Sequence, residues 1–320
     1  MSEEILVSII CNAYNHEKYI RKALESFLMQ KTNFAFEVLV HDDASTDKTA
    51  DIIREYEAKY PNIIKPIYQT ENQYSKKINN TRTHQLPRAK GKYIAVCEGD
   101  DFWTSEEKLQ KQVDYLEAHP ECSLCGHAAY YANEDSSLRG DKFFRPYDRS
   151  KIISIEEALS GWKIATNSMM YPRTVRGDGI VPFQGDCPNG DYALFCYCAS
   201  KGNIYYIDEL MSAYRVNSVG SLNWNWRKDR DRFEAARLKF VSMLDRMDLY
   251  LDYKYTNIID KQKTNVLFDL YISEPKKLLK NKELYKKLSI VQKIKAKVKA
   301  YCPALYSGIR KIVRGKKGRG

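Results

Sequence analysis

Residues 98–101 read Glu98-Gly99-Asp100-Asp101 and follow the apolar run Lys92-Tyr93-Ile94-Ala95-Val96-Cys97. Three carboxylates at the end of a buried strand repel one another, and burial penalises their charge further unless something positive lies between them. A divalent cation answers that need, and hard carboxylate oxygens suit Mg²⁺ or Mn²⁺. A solvated acidic turn capping the next helix is the structural alternative. Gly99 lets the backbone turn there or approach a ligand closely. Two further polar stretches are Cys11-Asn12-Ala13-Tyr14-Asn15 and Asp42-Asp43-Ala44-Ser45-Thr46-Asp47. In the second, Ser45, Thr46 and Asp47 could equally cap a helix. Asp191, after Gly190 and before the apolar stretch Tyr192–Ala199, is one more candidate acid, with helix capping as its alternative.

The elements that must position these residues follow from periodicity. Continuous β-branched runs predict buried strands over 5–11, 36–41, 63–68 and 92–97. Helices are expected through Ile20, Leu24, Phe27 and Leu28, over 47–58, and through Leu109, Val113 and Leu116. Thr104-x-x-Glu107 and Ser154-x-x-Glu157 fit capping boxes. Further strands are expected over 123–131, 165–171, 204–207 and 211–216, and a wholly helical part beyond about Trp226. Strand–helix alternation predicts an α/β doubly wound, mostly parallel sheet with a helical C-terminal extension. Ligands bind such sheets at the carboxyl ends of the strands. The three polar stretches each follow a predicted strand, so all fall on that one edge. Unrelated acidic turns would be spread over both edges.

The chain has 320 residues and 43% hydrophobic content, enough for a sizeable core. It holds no apolar stretch of about 18 residues, so no membrane-spanning helix is expected. The acidic start Met1-Ser2-Glu3-Glu4 does not read as a signal peptide. Eight scattered cysteines, without a second pair to match Cys122-x-x-Cys125 at zinc spacing, read as thiols of a reducing cytoplasm. The five histidines show no H-E-x-x-H spacing, and neither a P-loop nor a G-x-G-x-x-G fingerprint occurs. Residues 286–320 hold twelve Lys or Arg and no Asp or Glu, so the net charge of +11 belongs to the tail. There Leu288, Val291, Ile294, Val298 and Tyr301 share a helical face, Pro303 interrupts it, and Leu305, Ile309, Ile312 and Val313 resume it. A basic amphipathic segment of this kind suits an anionic membrane surface. Packing on the body is the alternative, and no motif supports nucleic acid.

Taken in order, these pieces resemble a family 2 glycosyltransferase of the GT-A fold. The matching stretches are Val7–Asn15, Glu37–Asp47, Gly91–Trp103, Gly190-Asp191-Tyr192 and Tyr214–Ser221, so the likeness spans roughly residues 4–225. It sets a catalytic domain over 1–225 apart from a helical region over 226–320. It implies a nucleotide-sugar donor, UDP-linked in expectation, a divalent metal, and transfer with inversion to a hydroxyl acceptor. Asn12, Ala13, Tyr14, Asn15 and Ser45 would line the nucleotide, with Tyr14 against the base. Asp42 or Asp43 would accept a hydrogen bond from the ring imide. Asp100 and Asp101 correspond to the metal and ribose-phosphate carboxylates, with Glu98 beside them. Asp191 corresponds to the general base, and Arg215 would meet the diphosphate. Asn217 stands where the family often has a metal-binding His. Trp224 and Trp226 would stack on a sugar or pack the junction. A membrane-docked tail fits a lipid-linked or surface-polysaccharide acceptor and a cytoplasmic enzyme peripheral to the inner face of the membrane. The rivals are a sugar nucleotidyltransferase, which would want a glycine-rich basic loop after the first strand, and a non-catalytic nucleotide binder.

Overall fold

The computed structural model describes residues 4–177, 179–216 and 229–306. Strand β1 (Ile5–Ala13) is apolar and β-branched because both of its faces are covered, and Val7, Ile9, Ile10 and Cys11 are fully buried. It pairs in parallel with β2 (Ala35–Asp42) on one side and β4 (Tyr93–Val96) on the other, and β3 (Ile67–Tyr68) lies outside β2. The register sets Ala13 beside Asp42 and Ile10 beside Val96. Three strand ends are thereby brought to one edge. Gly91 permits the close approach of β4 to β1, since a Cβ there would lie 2.4 Å from the Ser8 nitrogen. Helices α1 (Ile20–Leu28), α2 (Thr49–Lys59) and α3 (Lys108–Ala118) send Ile20, Leu24 and Phe27, Ile53 and Tyr56, and Leu109, Val113 and Leu116 into one core with this block.

The remaining strands are β5 (Phe102–Trp103), β6 (Cys122–Ala132), β7 (Leu138–Phe144), β8 (Lys151–Ile153), β9 (Met170–Pro172) and β10 (Asn203–Arg215). The ten-stranded sheet runs β3-β2-β1-β4-β9-β6-β10-β5, with β7 on β6 and β8 on β10. β9 is antiparallel to β4 and β6, while β10 is parallel to β6. The α/β architecture is as expected, and its second half is mixed. Short helices α4 (Ile155–Leu159) and α5 (Arg173–Arg176) precede α6 (Gly190–Ala199).

Several local expectations change. The strand expected over 63–68 shrinks to β3, with Ile64 making a lone bridge to Val38. The 165–171 strand is instead a 3₁₀ turn, Thr166–Ser168, followed by β9. The two short strands after 203 are one, β10, with register shifts between Ile207 and Ser212. The Ser154–Glu157 capping box forms. The Thr104 box does not, because the Thr104 amide and hydroxyl donate to the Met211 and Leu210 carbonyls.

The chain divides into two compact units, one within residues 1–158, 162–182 and 190–228, the other within 159–161, 183–189 and 229–320. The second contains α7 (Arg230–Tyr250), α8 (Thr256–Tyr271), α9 (Pro275–Lys280), α10 (Lys282–Lys287) and α11 (Ile290–Tyr301). A capping box of Ser289 and Gln292 starts α11. Leu288 and Ala296 join a small core with Phe268, Leu278 and Leu284. Ile290, Val291, Ile294, Tyr301 and Leu305 stay at least 57% exposed. Ile309, Ile312, Val313 and the last six cations of the tail lie outside the described residues, as do Asn217, Trp224 and Trp226. Among the described residues no helix is long and apolar enough to cross a membrane.

Candidate active site

The loops after β1 and β2 are locked to each other. The Asn15 amide donates to Ser45 Oγ at 3.0 Å, and the Thr46 amide donates to Asn15 Oδ1 at 2.8 Å. Asn15 and Ala44 both take left-handed backbone, with φ of 55° and 60°. Ala13 is buried against this junction, its carbonyl accepting from the Asp43 amide, and Tyr14 is exposed beside it. The two acids of this loop then separate in role. Both Asp43 oxygens accept backbone N–H groups, from Gln73 at 2.7 Å and Tyr74 at 3.0 Å. Asp42 Oδ2 accepts only from the Ser45 amide, and its buried Oδ1 has no hydrogen-bond partner among the described residues. Burial raises the Asp42 pKa.

The carboxylate loop lies directly against β1. The Gly99 amide donates to the Asn12 carbonyl at 2.9 Å, and a Cβ on Gly99 would fall 2.9 Å from the His16 ring and 3.1 Å from that carbonyl. Glu98 turns back onto Asn12 and accepts from its backbone N–H at 3.2 Å and its side-chain amide at 3.4 Å. Burial and then the neighbouring Asp100 push the Glu98 carboxyl up to about 7, with Asp191 adding to the effect. Asp101 is buried, and its Oδ1 accepts the Arg215 amide at 2.7 Å. Burial and Asp100 raise its pKa as well.

Arg215 ends β10 as a clamp. Its guanidinium donates to the carbonyls of Asp100, Asn133 and Glu134 and to Ser136 Oγ, and it stacks on the Tyr19 ring at 4.4 Å. Four of the five N–H donors of an arginine are engaged this way. The side chain is 3% exposed, so its contacts are with loops of the protein.

Asp191 opens α6, where its Oδ1 accepts its neighbour Tyr192's amide at 2.9 Å and its Oδ2 accepts the Thr166 hydroxyl at 2.8 Å. Burial raises its pKa. Thr166 had no signal in the sequence, since it lies in a stretch that reads as strand. Thr81, which accepts from the Asn12 side chain, and Gln85, which donates to the Cys11 and Leu39 carbonyls, were equally silent.

Among the described residues no three His, Cys, Asp or Glu side chains stand together so as to hold a metal ion. The donor set nonetheless fits a shared ion. Asp101 feels repulsion from Asp100 and Glu98 that Arg215 offsets only in part, and Mg²⁺-type ions are commonly held by one or two carboxylates with the remaining ligands from substrate phosphates. Asp100 and Asp101 would be its ligands, with Glu98 held by Asn12 beside them.

Comparison with known proteins agrees with this geometry. Residues 8–175 match the family described as Glycosyl transferase family 2. The UDP-Glc:alpha-D-GlcNAc-diphosphoundecaprenol beta-1,3-glucosyltransferase WfaP of Escherichia coli is 31% identical over 224 residues, 70% of this chain and 82% of that protein. S. aureus TarS 1–349, solved with UDP-GlcNAc, superposes with a TM-score of 0.56 at 18% identity over 98% of this chain and 92% of its own. The mannosyltransferase PcManGT of Pyrobaculum calidifontis, solved with GDP-Man and Mn²⁺, gives 0.57 at 16% identity over 96% and 84%. At these identities the two structures speak for a common GT-A fold.

Proposed function

We propose, because this chain belongs to glycosyl transferase family 2, that it moves a sugar with inversion from a UDP-linked donor to the hydroxyl of a lipid-linked or surface-polysaccharide saccharide. The carrying observation is the strand register that brings the ends of β1, β2 and β4, and with them Asn12, Asp42 and the Glu98–Asp101 loop, to one edge of the sheet. Asp42 supports the uridine assignment. Its unpartnered Oδ1 can accept the N3–H of uracil, whereas Asp43 is saturated by the 73–74 backbone. Asp191 takes the proton from the acceptor hydroxyl as the new bond forms, and its raised pKa makes it a stronger base than an exposed aspartate. A Mn²⁺ or Mg²⁺ ion held by Asp100 and Asp101 would neutralise the departing diphosphate. Asn217, beyond the described residues, would add at most an amide oxygen. Asn12, Ala13, Tyr14, Asn15 and Ser45 shape the nucleoside wall, and Arg215 holds the loops around it. The acceptor class is supported by the lipid diphosphate in the name of WfaP.

The basic tail supports attachment to the inner face of the membrane, where anionic lipids give a negative surface potential. Its exposed stripe on α11 supplies the apolar contact. Incubation with UDP-, GDP- and CMP-sugars and Mn²⁺, scoring nucleotide release, tests the reaction. Release from one or more UDP-sugars, abolished by EDTA, is expected. Turnover confined to GDP- or CMP-sugars, or only of a nucleoside triphosphate with a sugar phosphate, overturns it.

A further inference from the structure

We infer that Thr166 and Asn167 are positioning residues that link the base to the donor-side loop, Thr166 by orienting the Asp191 carboxylate and Asn167 by tying that turn to β5 and β10. The inference rests on the reading of Asp191 as the base. Asn167 is fully buried, and each of its polar ends is bound. Its side-chain amide donates to the Ala213 carbonyl at 2.9 Å, its Oδ1 accepts the Ser212 hydroxyl at 2.9 Å, and its backbone carbonyl accepts the Trp103 indole N–H at 2.9 Å. Trp103 lies two residues past Asp101, and Ala213 two residues before the Arg215 that clamps Asp101. The strand that follows the carboxylate loop and the strand that ends at Arg215 are therefore both anchored to the residue that adjoins Thr166. The turn itself is rigid. Ser168 Oγ donates to the Ala165 carbonyl at 2.7 Å, and the buried Gln112 side chain donates to the Ser168 carbonyl at 2.9 Å.

Thr166 then presents a single hydroxyl donor to Asp191. A carboxylate with one oxygen on its own helix start and the other on this hydroxyl cannot swing without breaking a charge-assisted bond. The arrangement holds the base at a fixed place relative to the diphosphate site, which is what transfer between two bound partners requires.

The test compares Thr166→Val, Thr166→Ser and Asp191→Asn in the full chain, with Mn²⁺ and whichever UDP-sugar of the panel turns over. Thr166→Val should lower kcat roughly tenfold to a hundredfold, the loss of one hydrogen bond to a charged group, with the donor KM unchanged. The acid limb of its pH profile should move to higher pH, because the hydroxyl favours the charged carboxylate. Thr166→Ser should restore both. The ¹³C titration of the Asp191 carboxyl in the free protein gives the same comparison without any substrate, and should move up in Thr166→Val only. A Thr166→Val protein with wild-type kcat, pH profile and Asp191 titration, alongside an inactive Asp191→Asn, overturns the positioning role. Normal turnover by Asp191→Asn instead overturns the base assignment, and the positioning role with it.

Discussion

The two units of this chain break the usual burial pattern in opposite senses. In the α/β unit, charge is inside. Asp101 and Lys108 are withdrawn from solvent and Glu98 partly so, and the burial of Asp42 and Asp43 leaves one acid saturated and the other with an oxygen that has no partner among the described residues. In the helical unit, apolar surface is outside, with Ile290, Val291, Ile294, Tyr301 and Leu305 exposed on and beyond a lysine-rich helix. Buried charge persists only where a partner or ligand compensates it, and an exposed apolar stripe marks a surface that meets something. The first unit keeps acids inside, and the second keeps apolar side chains outside.

The comparison breaks most sharply at Asp191. Asp191→Asn keeps the shape of the side chain and removes its basicity, so kcat should fall by about 10²–10⁴ while donor affinity is retained. Near-normal turnover would show that this half-buried acid is only a helix cap. Arg215→Ala strips the clamp from the loops around Asp100 and leaves Asp101 buried without its cation. A loss of about 3–5 kcal/mol in denaturant unfolding is expected, and a loss under 1 kcal/mol would show that the clamp is redundant.

Lys108 is the buried charge with no site to serve. Its Nζ has no hydrogen-bond partner among the described residues and sits 3.9 Å from the Trp103 ring centre. Burial lowers its pKa from 10.5 to about 7. The unfolded chain then holds a proton that the folded chain has released between those values, so the destabilisation is full below pH 7 and fades as pH rises toward 10.5. Lys108→Met should stabilise the protein by roughly 2–4 kcal/mol near pH 7, and the gain should shrink in unfolding curves taken toward pH 10. A destabilised variant would mean that the ammonium holds the Trp103 ring in place.

On the helical side, Val291→Glu with Ile294→Glu should weaken flotation with anionic liposomes at least tenfold, from lost apolar burial alone. Equal flotation of the double variant and the parent would assign the stripe to another partner. The smallest effect belongs to Ser289→Ala, which opens the capping box of α11 and should lower stability by about 1 kcal/mol. An unchanged melting curve would show that α11 is held by Leu288 and Ala296 rather than by its cap.

Periodicity and strand-end polarity determined the catalytic outline of this protein. A buried parallel strand must be continuously apolar, and a chain leaving it at the carboxyl end must become polar where ligands bind. The 11–15, 42–47 and 98–101 stretches were therefore legible as one edge before any coordinates. The fate of each acid was not. Asp42 and Asp43 are adjacent and chemically identical, and only the return of the 73–74 backbone separates them. Glu98 is held by the backbone and side-chain amides of Asn12, 86 residues away in sequence. Arg215 looked like a phosphate contact until four of its donors were accounted for. Thr166 and Asn167 carried no pattern, because their partners lie 25 and 45 or more residues away. Secondary structure and its edges depend on near neighbours in sequence, which one chain records directly. The state of a carboxylate depends on which distant donors arrive within 3 Å, and that is decided only when the sheet closes.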